Sequence, residues 1–325
     1  MQNFNSAKSN QNAGKCILFK VNRAIALLIL LLFLAAGCEI EKDPVDEPLD
    51  PSLHLTDGFC LLKNSRVVLN HYDIDYYDYS AHLIYLKSPD AFEEKFKEQG
   101  SGSVCADSTW IYDLSFVSYA SSYIPQGPVI WYPFIFYADD IIHIDQAWFY
   151  ESMAMGGPDP REDPRIVEAL KKYGQFRHGI QVEIESVQYK SPDDVVLELE
   201  LWNEDSVNYY YWDPEKIGIS LYHYVTNGLY LRDTLTNQSY THQVEHVPSG
   251  SWDLEDLEGM SLLESGSTAR LTIAYDRFDT VPLGNYVALF KLAAPTFNKE
   301  REDLEWPNGR IWLGEQYLYS EVEVK

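Results

Sequence analysis

The chain reads as a mainly β protein, with a β-rich or α+β first half followed by a two-layer β-sandwich. Three observations lead there. Apolar and polar residues alternate through Gln181-Val182-Glu183-Ile184-Glu185-Ser186-Val187 and Val195-Val196-Leu197-Glu198-Leu199-Glu200-Leu201-Trp202, the period of strands with one buried face. Short apolar runs recur between turn-forming Gly, Pro, Asn and Asp from residue 58 onward. Aromatic residues make up 14% of the sequence, with 24 Tyr and 8 Trp, ring types that favour strands.

Ahead of any folded element, Lys8, Lys15, Lys20 and Arg23 precede a 13-residue apolar run from Ala24 to Ala36, which ends in Gly37-Cys38. A basic start, an apolar middle and a small-residue end make a secretory leader, and the run is shorter than the roughly 20 residues a bilayer span needs. Because Cys38 directly follows Ala35-Ala36-Gly37, the segment resembles a bacterial lipoprotein signal peptide. That resemblance implies removal of residues 1–37 and lipid on Cys38, which becomes the anchor. Ala35 stands where the family usually carries Leu, with Leu34 one position earlier. Residues 38–54, with Glu39, Glu41, Asp43, Asp46, Glu47 and Asp50 among three prolines, cannot bury enough apolar surface to fold and read as a tether. An acidic cluster just after the cysteine resembles the export signal of surface lipoproteins in Bacteroidota-type bacteria. It implies an outer-membrane, lipid-anchored protein facing outward. No other segment is apolar enough to span.

The first folded part is expected over 55–178. Arg66–Leu69, Ala81–Leu86, Trp110–Tyr119, Val129–Tyr137 and Asp139–Asp145 have strand composition, and Ala91–Gln99 carries an amphipathic helical pattern. Asp163 can cap a helix with Pro164 in its first position, running to Tyr173 and stopping at Gly174.

The second part, 179–325, is a succession of strands: the two alternating runs above, then Ile217–Tyr224, Leu229–Asp233, Ala269–Tyr275, Tyr286–Leu292 and Tyr317–Val324. About seven strands separated by turns, with Leu283-Gly284-Asn285 leading into a Tyr-headed late strand, resemble an immunoglobulin-like β-sandwich. The resemblance is architectural and brings no function with it.

Charge narrows the partners. The chain has 25 basic and 50 acidic residues, and losing the four basic residues of the leader leaves a net charge of −29. Such a surface opposes nucleic acid. Membrane contact is expected through the N-terminal lipid alone.

Four cysteines are present; Cys16 leaves with the leader and Cys38 takes lipid, so Cys60 and Cys105 remain in an oxidising compartment. They are candidate disulfide partners, and a bridge closing that loop would contribute roughly 4 kcal/mol. His242-Gln243-Val244-Glu245-His246 matches the order of the inverted zinc peptidases. Pro248-Ser249-Gly250 follows too soon for the helix that chemistry needs, so His242 and His246 are kept as a candidate divalent-metal pair without a catalytic role. Asp73, Asp75 and Asp78 have the spacing of a calcium loop's start but lack its glycine and closing glutamate, and read as a strand face or turn. No nucleophile elbow, phosphate loop or dinucleotide fingerprint occurs, so no catalytic residue and no cofactor is assigned.

Tyr209-Tyr210-Tyr211-Trp212, flanked by Asn208 and Asp213, reads as rings displayed at a loop or strand end, where π-faces could stack on sugars. Asp107-Ser108-Thr109, Asp205-Ser206-Val207, Asp233-Thr234-Leu235 and Asp279-Thr280-Val281 resemble the O-glycosylation triplet of exported Bacteroidota proteins, which implies modification at Ser108, Ser206, Thr234 and Thr280. The function expected is a non-enzymatic glycan- or protein-binding or assembly module. The alternatives are an envelope hydrolase with an unrecognised carboxylate or metal site, and a protease-inhibitor-like sandwich.

Overall fold

Alternation in the sequence becomes layered sheet in a computed structural model, which describes residues 57–88, 93–96, 99–123, 125–134, 136–147, 158–191, 193–244, 259–294 and 304–325. Cys38, the leader, the tether and His246 lie outside the described residues, as does part of the helix expected over 91–99. Among the described residues the protein is mainly β and forms five sheets.

The first half stacks two of them. β1 (Phe59–Lys63), β2 (Arg66–Leu69), β5 (Gly100–Ala106), β6 (Thr109–Ser118), β7 (Gly127–Tyr132) and β9 (Asp145–Ala147) form a sheet in the order β2-β1-β5-β6-β7-β9. β3 (Ile74–Asp78), β4 (Leu83–Leu86), β8 (Ile141–His143) and β10 (Phe176–Arg177) form the second, in the order β10-β3-β4-β8. Phe59, Leu61, Val104, Phe116 and Ile130 of one sheet meet Ile74, Tyr77, Ile84 and Ile142 of the other. A short helix, α1 (Glu93–Phe96), adds Phe96 to this core.

Helix α2 (Pro164–Lys172) forms as its sequence dictates. The Asp163 carboxylate accepts from Arg165 N at 2.9 Å, Pro164 sits at the first helical position, and Gly174 leaves the helix with φ +68°. Its buried residues Ile166, Ala169 and Leu170 recur at helical spacing and close the core. Full burial of Ile166 and Leu170 stabilises by about 2 kcal/mol each.

In the second half, β11 (Ile180–Ser191), β12 (Asp194–Asn203) and β17 (Thr268–Tyr275) make a three-stranded sheet. β14 (Leu229–Asp233), β15 (Ser239–Thr241), β18 (Gly284–Ala293) and β21 (Glu315–Val324) make a four-stranded one in the order β15-β14-β18-β21. Their inward faces share a core in which Leu197, Leu199, Leu201 and Ile273 meet Leu231, Ala288, Phe290 and Val322. The period-two pattern of the sequence is thus the burial pattern of β12 and β17.

The strand expected over Ile217–Tyr224 is instead helical, as α3 (Pro214–Ile217) and α4 (Ile219–Thr226). Asp213 caps the first through Glu215 N at 3.0 Å, Pro214 starts it, and Asn227 at φ +63° followed by Gly228 ends the second. Local start and stop signals override the β preference of Ile, Tyr and Val.

A fifth sheet, β16 (Met260–Leu263), β13 (Tyr209–Trp212), β20 (Gly309–Ile311) and β19 (Glu305–Trp306), lies where the halves meet. Trp212, Met260, Ile311 and Leu313 pack there against Tyr76, Leu83, Tyr85, Tyr137 and Ile141. From His54 to Lys325 the chain is one compact unit, with this cluster packed between the parts on either side of residue 179.

That interface has a polar centre. Asp205 accepts from His178 N and Gly179 N, both at 2.9 Å, and from the Tyr209 hydroxyl at 2.6 Å. Asp78 accepts from Ser80 N at 3.0 Å and Ser80 Oγ at 2.7 Å, and the Trp312 indole N–H reaches the same Oγ at 2.9 Å. Gly179, at φ +71°, threads between these groups; a Cβ on it would stand 2.2 Å from Asp78 Oδ1.

Candidate functional site

The aromatic run expected to display its rings does not. Tyr209, Tyr211 and Trp212 are buried on β13, a strand paired on both sides and covered by the second-half core on one face and the interface cluster on the other. Tyr210 is half-buried, its hydroxyl donating to Pro307 O at 2.9 Å and its ring meeting Trp306 edge-on. With packing on both faces, the strand leaves Tyr209, Tyr211 and Trp212 no ring surface for a ligand.

Cys60 and Cys105 are directly opposite on antiparallel β1 and β5, both fully buried with Leu62 and Val67. They face each other without a bridge between them in the structure. The flanking bonds Asp107 N to Gly58 O and Asn64 N to Ser101 O place the pair, by alternation, at a hydrogen-bonded ladder position. Cβ atoms at such a position are about 5.5 Å apart, beyond the roughly 3.5–4.5 Å a disulfide takes. The neighbouring sulfur and burial push the Cys105 thiol up.

His242 is buried, and the imidazole beside it belongs to His223, their ring centroids 5.4 Å apart. The Thr241 hydroxyl donates to Leu229 O, so it accepts from His223 Nε2 at 3.0 Å and leaves the proton-free lone pair on Nδ1. That Nδ1 is buried without a hydrogen-bond partner and faces Gly228, where a Cβ would come within 2.2 Å of it. Burial holds His223 at about 4, with His242 adding to the effect, and burial lowers His242 as well. No group of three or more His, Cys, Asp or Glu suited to a metal occurs among the described residues. Asp73, Asp75 and Asp78 diverge: Asp73 caps a turn at Asn70 N, Asp75 is exposed and Asp78 is buried. Ser108, Ser206, Thr234 and Thr280 are all exposed in turns or loops.

The rings that do reach solvent lie elsewhere, and the two halves build their site together. β6 and β7 pair in parallel, with Val117 opposite Trp131, and Tyr119 N continues the ladder to Tyr132 O at 2.9 Å. This sets Tyr119 on Trp131, stacked at 5.3 Å with planes 20° apart, and Phe136 meets Tyr119 edge-on at 5.6 Å. Trp131 Nε1 donates to Asp145 Oδ2 at 2.8 Å, which fixes the indole plane, while Asp145 Oδ1 accepts from Gln146 N at 2.7 Å. Tyr119 and Phe136 are 40% and 44% exposed, and Trp131 is half-buried beneath Tyr119.

The second half comes alongside through Leu313, which packs in the same cluster as Tyr137. Two residues on, Glu315 opens β21 and pairs with Lys291 of β18, whose ammonium lies 5.1 Å from the Tyr317 ring centroid. Burial, then Asp145 and Glu315, push the Tyr119 hydroxyl up to about 12, so it stays a neutral donor and acceptor at ordinary pH. Burial lowers His143, whose ring meets Tyr137 edge-on, against the opposing pull of Asp145 and Glu315. The assembled surface carries partly exposed rings with the Asp145 and Glu315 carboxylates nearby. Sequence reasoning misses it, because Val129–Tyr137 has the composition of a strand. The available signal is the density of rings in Trp131-Tyr132-Pro133-Phe134 and Phe136-Tyr137, beyond what one buried strand face holds.

No protein family and no curated protein matches the chain. Among solved structures, the crystal structure of the yjhA protein from Bacillus subtilis aligns with 43% of this chain and 90% of its own, at 14% identity and a TM-score of 0.23. A likeness that slight carries no argument. The functional reading therefore rests on the residues themselves.

Proposed function

We propose that this protein is a lipid-anchored, outward-facing envelope protein that binds glycan without catalysis, using Tyr119, Trp131 and Phe136 as a stacking platform and Asp145 and Glu315 as hydrogen-bonding edges. The observation that carries the reading is the Tyr119–Trp131 stack, held in place by Asp145 with the Tyr119 ring partly exposed. Cys38 is the anchor in this reading, and the sandwich of the second half is taken as immunoglobulin-like, a scaffold that leaves function to its surface. No helix among the described residues is long and apolar enough to cross a membrane. A hydrolase would want carboxylates converging in an enclosed cleft. The depression lined by Glu183, Glu200 and Glu204 instead lies open on the outer face of β11 and β12.

Screening the full-length protein on an array of neutral and acidic glycans tests the proposal. Binding to at least one neutral glycan is expected. A blank array, with the protein folded by circular dichroism, overturns it.

A further inference from the structure

We propose that the ligand is a linear, uncharged polysaccharide that continues from the ring platform onto the outer face of β21 and β18, where Tyr317, Tyr319 and Leu289 form a second subsite. This rests on the glycan-binding reading of the platform. Along β21 the burial pattern alternates, sending Leu318 and Val322 toward the core and Tyr317, Tyr319 and Glu321 outward. Cross-strand register sets Lys291 beside Tyr317 and Leu289 beside Tyr319. The outward face of this sheet therefore carries Tyr317, Tyr319 and Leu289 between the Lys291–Glu315 pair at one end and Glu321 at the other. Tyr317 and Tyr319 are 49% and 43% exposed, close to the values of the platform rings.

The strip adjoins the platform: Glu315 acts electrostatically on the Tyr119 hydroxyl, and Asp145 on that of Tyr317. Leu313 packs in the cluster that contains Tyr137, the residue after Phe136, and the chain runs from there directly into Glu315 and Tyr317. Successive outward residues on a strand are about 7 Å apart. Tyr317 and Tyr319 thus lie one step apart on the outward side of β21. A single sugar would fill the platform alone, whereas a strip of this form adds contact only for a ligand with several units.

Charge selects the class of polymer. Lys291, beside Tyr317, is already paired with Glu315, and Glu321 occupies the next outward position of β21 beyond Tyr319. The chain as a whole carries a net charge of −25. A uronate or sulfate chain would meet repulsion along its length, and a neutral one would not.

Calorimetric titration of full-length protein with cello-, malto- and manno-oligosaccharides of graded length, and with their parent polymers, tests the inference. Affinity should climb with length beyond the dimer in the series that binds, and alginate and chondroitin sulfate should not bind. Tyr317→Ala combined with Tyr319→Ala should weaken the longest ligand roughly tenfold and leave the shortest unchanged, since each ring contributes a modest stacking energy. Both side chains are about half in solvent, so the variant keeps its fold, which its melting temperature checks. Affinity independent of length, or an unchanged Kd for the long ligand in that variant, overturns the second subsite while leaving the platform standing. Loss of all binding in Trp131→Ala together with no effect of the β21 pair does the same. Absence of binding by every neutral ligand overturns platform and strip together.

Discussion

Replacing Asp78 by Asn should stabilise the protein at pH 8 and do nothing at pH 4. Asp78 is 2% exposed, and its donors are the amide and hydroxyl of Ser80, with the Asp205 carboxyl on the far side of Gly179. Burial, above all, raises it from 3.8 to about 7, Asp205 adds to the rise and the Ser80 bonds oppose it. The folded chain therefore keeps a proton between about pH 4 and 7 that the unfolded chain releases. Stability from this group is full below pH 4 and is lost as pH climbs through 7. The rise from 3.8 to about 7 corresponds to at most about 4 kcal/mol. Asn is neutral throughout, and its Oδ1 can accept from Ser80 as the carboxyl does. Urea unfolding of both proteins at pH 4, 6 and 8 gives the assay. Buried His82, His143, His223 and His242 titrate low and add the opposite slope below pH 6.5, so the readout is the difference between the two proteins. That difference should grow from zero toward a few kcal/mol at pH 8. A difference independent of pH, or an Asn variant weaker at pH 8, would refute the reasoning.

Three further outcomes are expected. Gly179→Ala places a methyl 2.1 Å from Ser80 Oγ at a positive φ, and should cost about 3 kcal/mol or more, read as a lower urea midpoint. Cys60 and Cys105 should resist alkylation in native buffer and both be alkylated in denaturant without reductant; a linked peptide in the non-reduced digest would show the bridge instead. Mass spectrometry of protein from its source should find lipid on Cys38 and sugar on Ser108, Ser206, Thr234 and Thr280; an unmodified polypeptide mass contradicts both.

Much of the architecture is legible because burial is periodic. β12, β14, β17, β18 and β21 follow alternation that any one-sided strand must show, and α2 carries its cap, its proline and its stop glycine in sequence. Strands buried on both faces carry no such alternation. Phe59–Lys63 is largely apolar and Tyr209–Trp212 wholly aromatic, so the latter reads in sequence as a display of rings. The helices over 214–226 are written in Asp213-Pro214 and Asn227-Gly228, but β-favouring side chains mask them. The candidate site is illegible for a different reason. Tyr119, Trp131, Asp145 and Glu315 are scattered over nearly 200 residues, and the packing of Leu313 beside Tyr137 brings them to one surface.

The most direct test of the central claim is native electrophoresis of the wild type and a Tyr119→Ala, Trp131→Ala variant through gels containing neutral polysaccharide. The account predicts that wild type is retarded by at least one polymer and that the variant, of similar melting temperature, runs freely. Equal retardation of the two would place the binding surface elsewhere and contradict it.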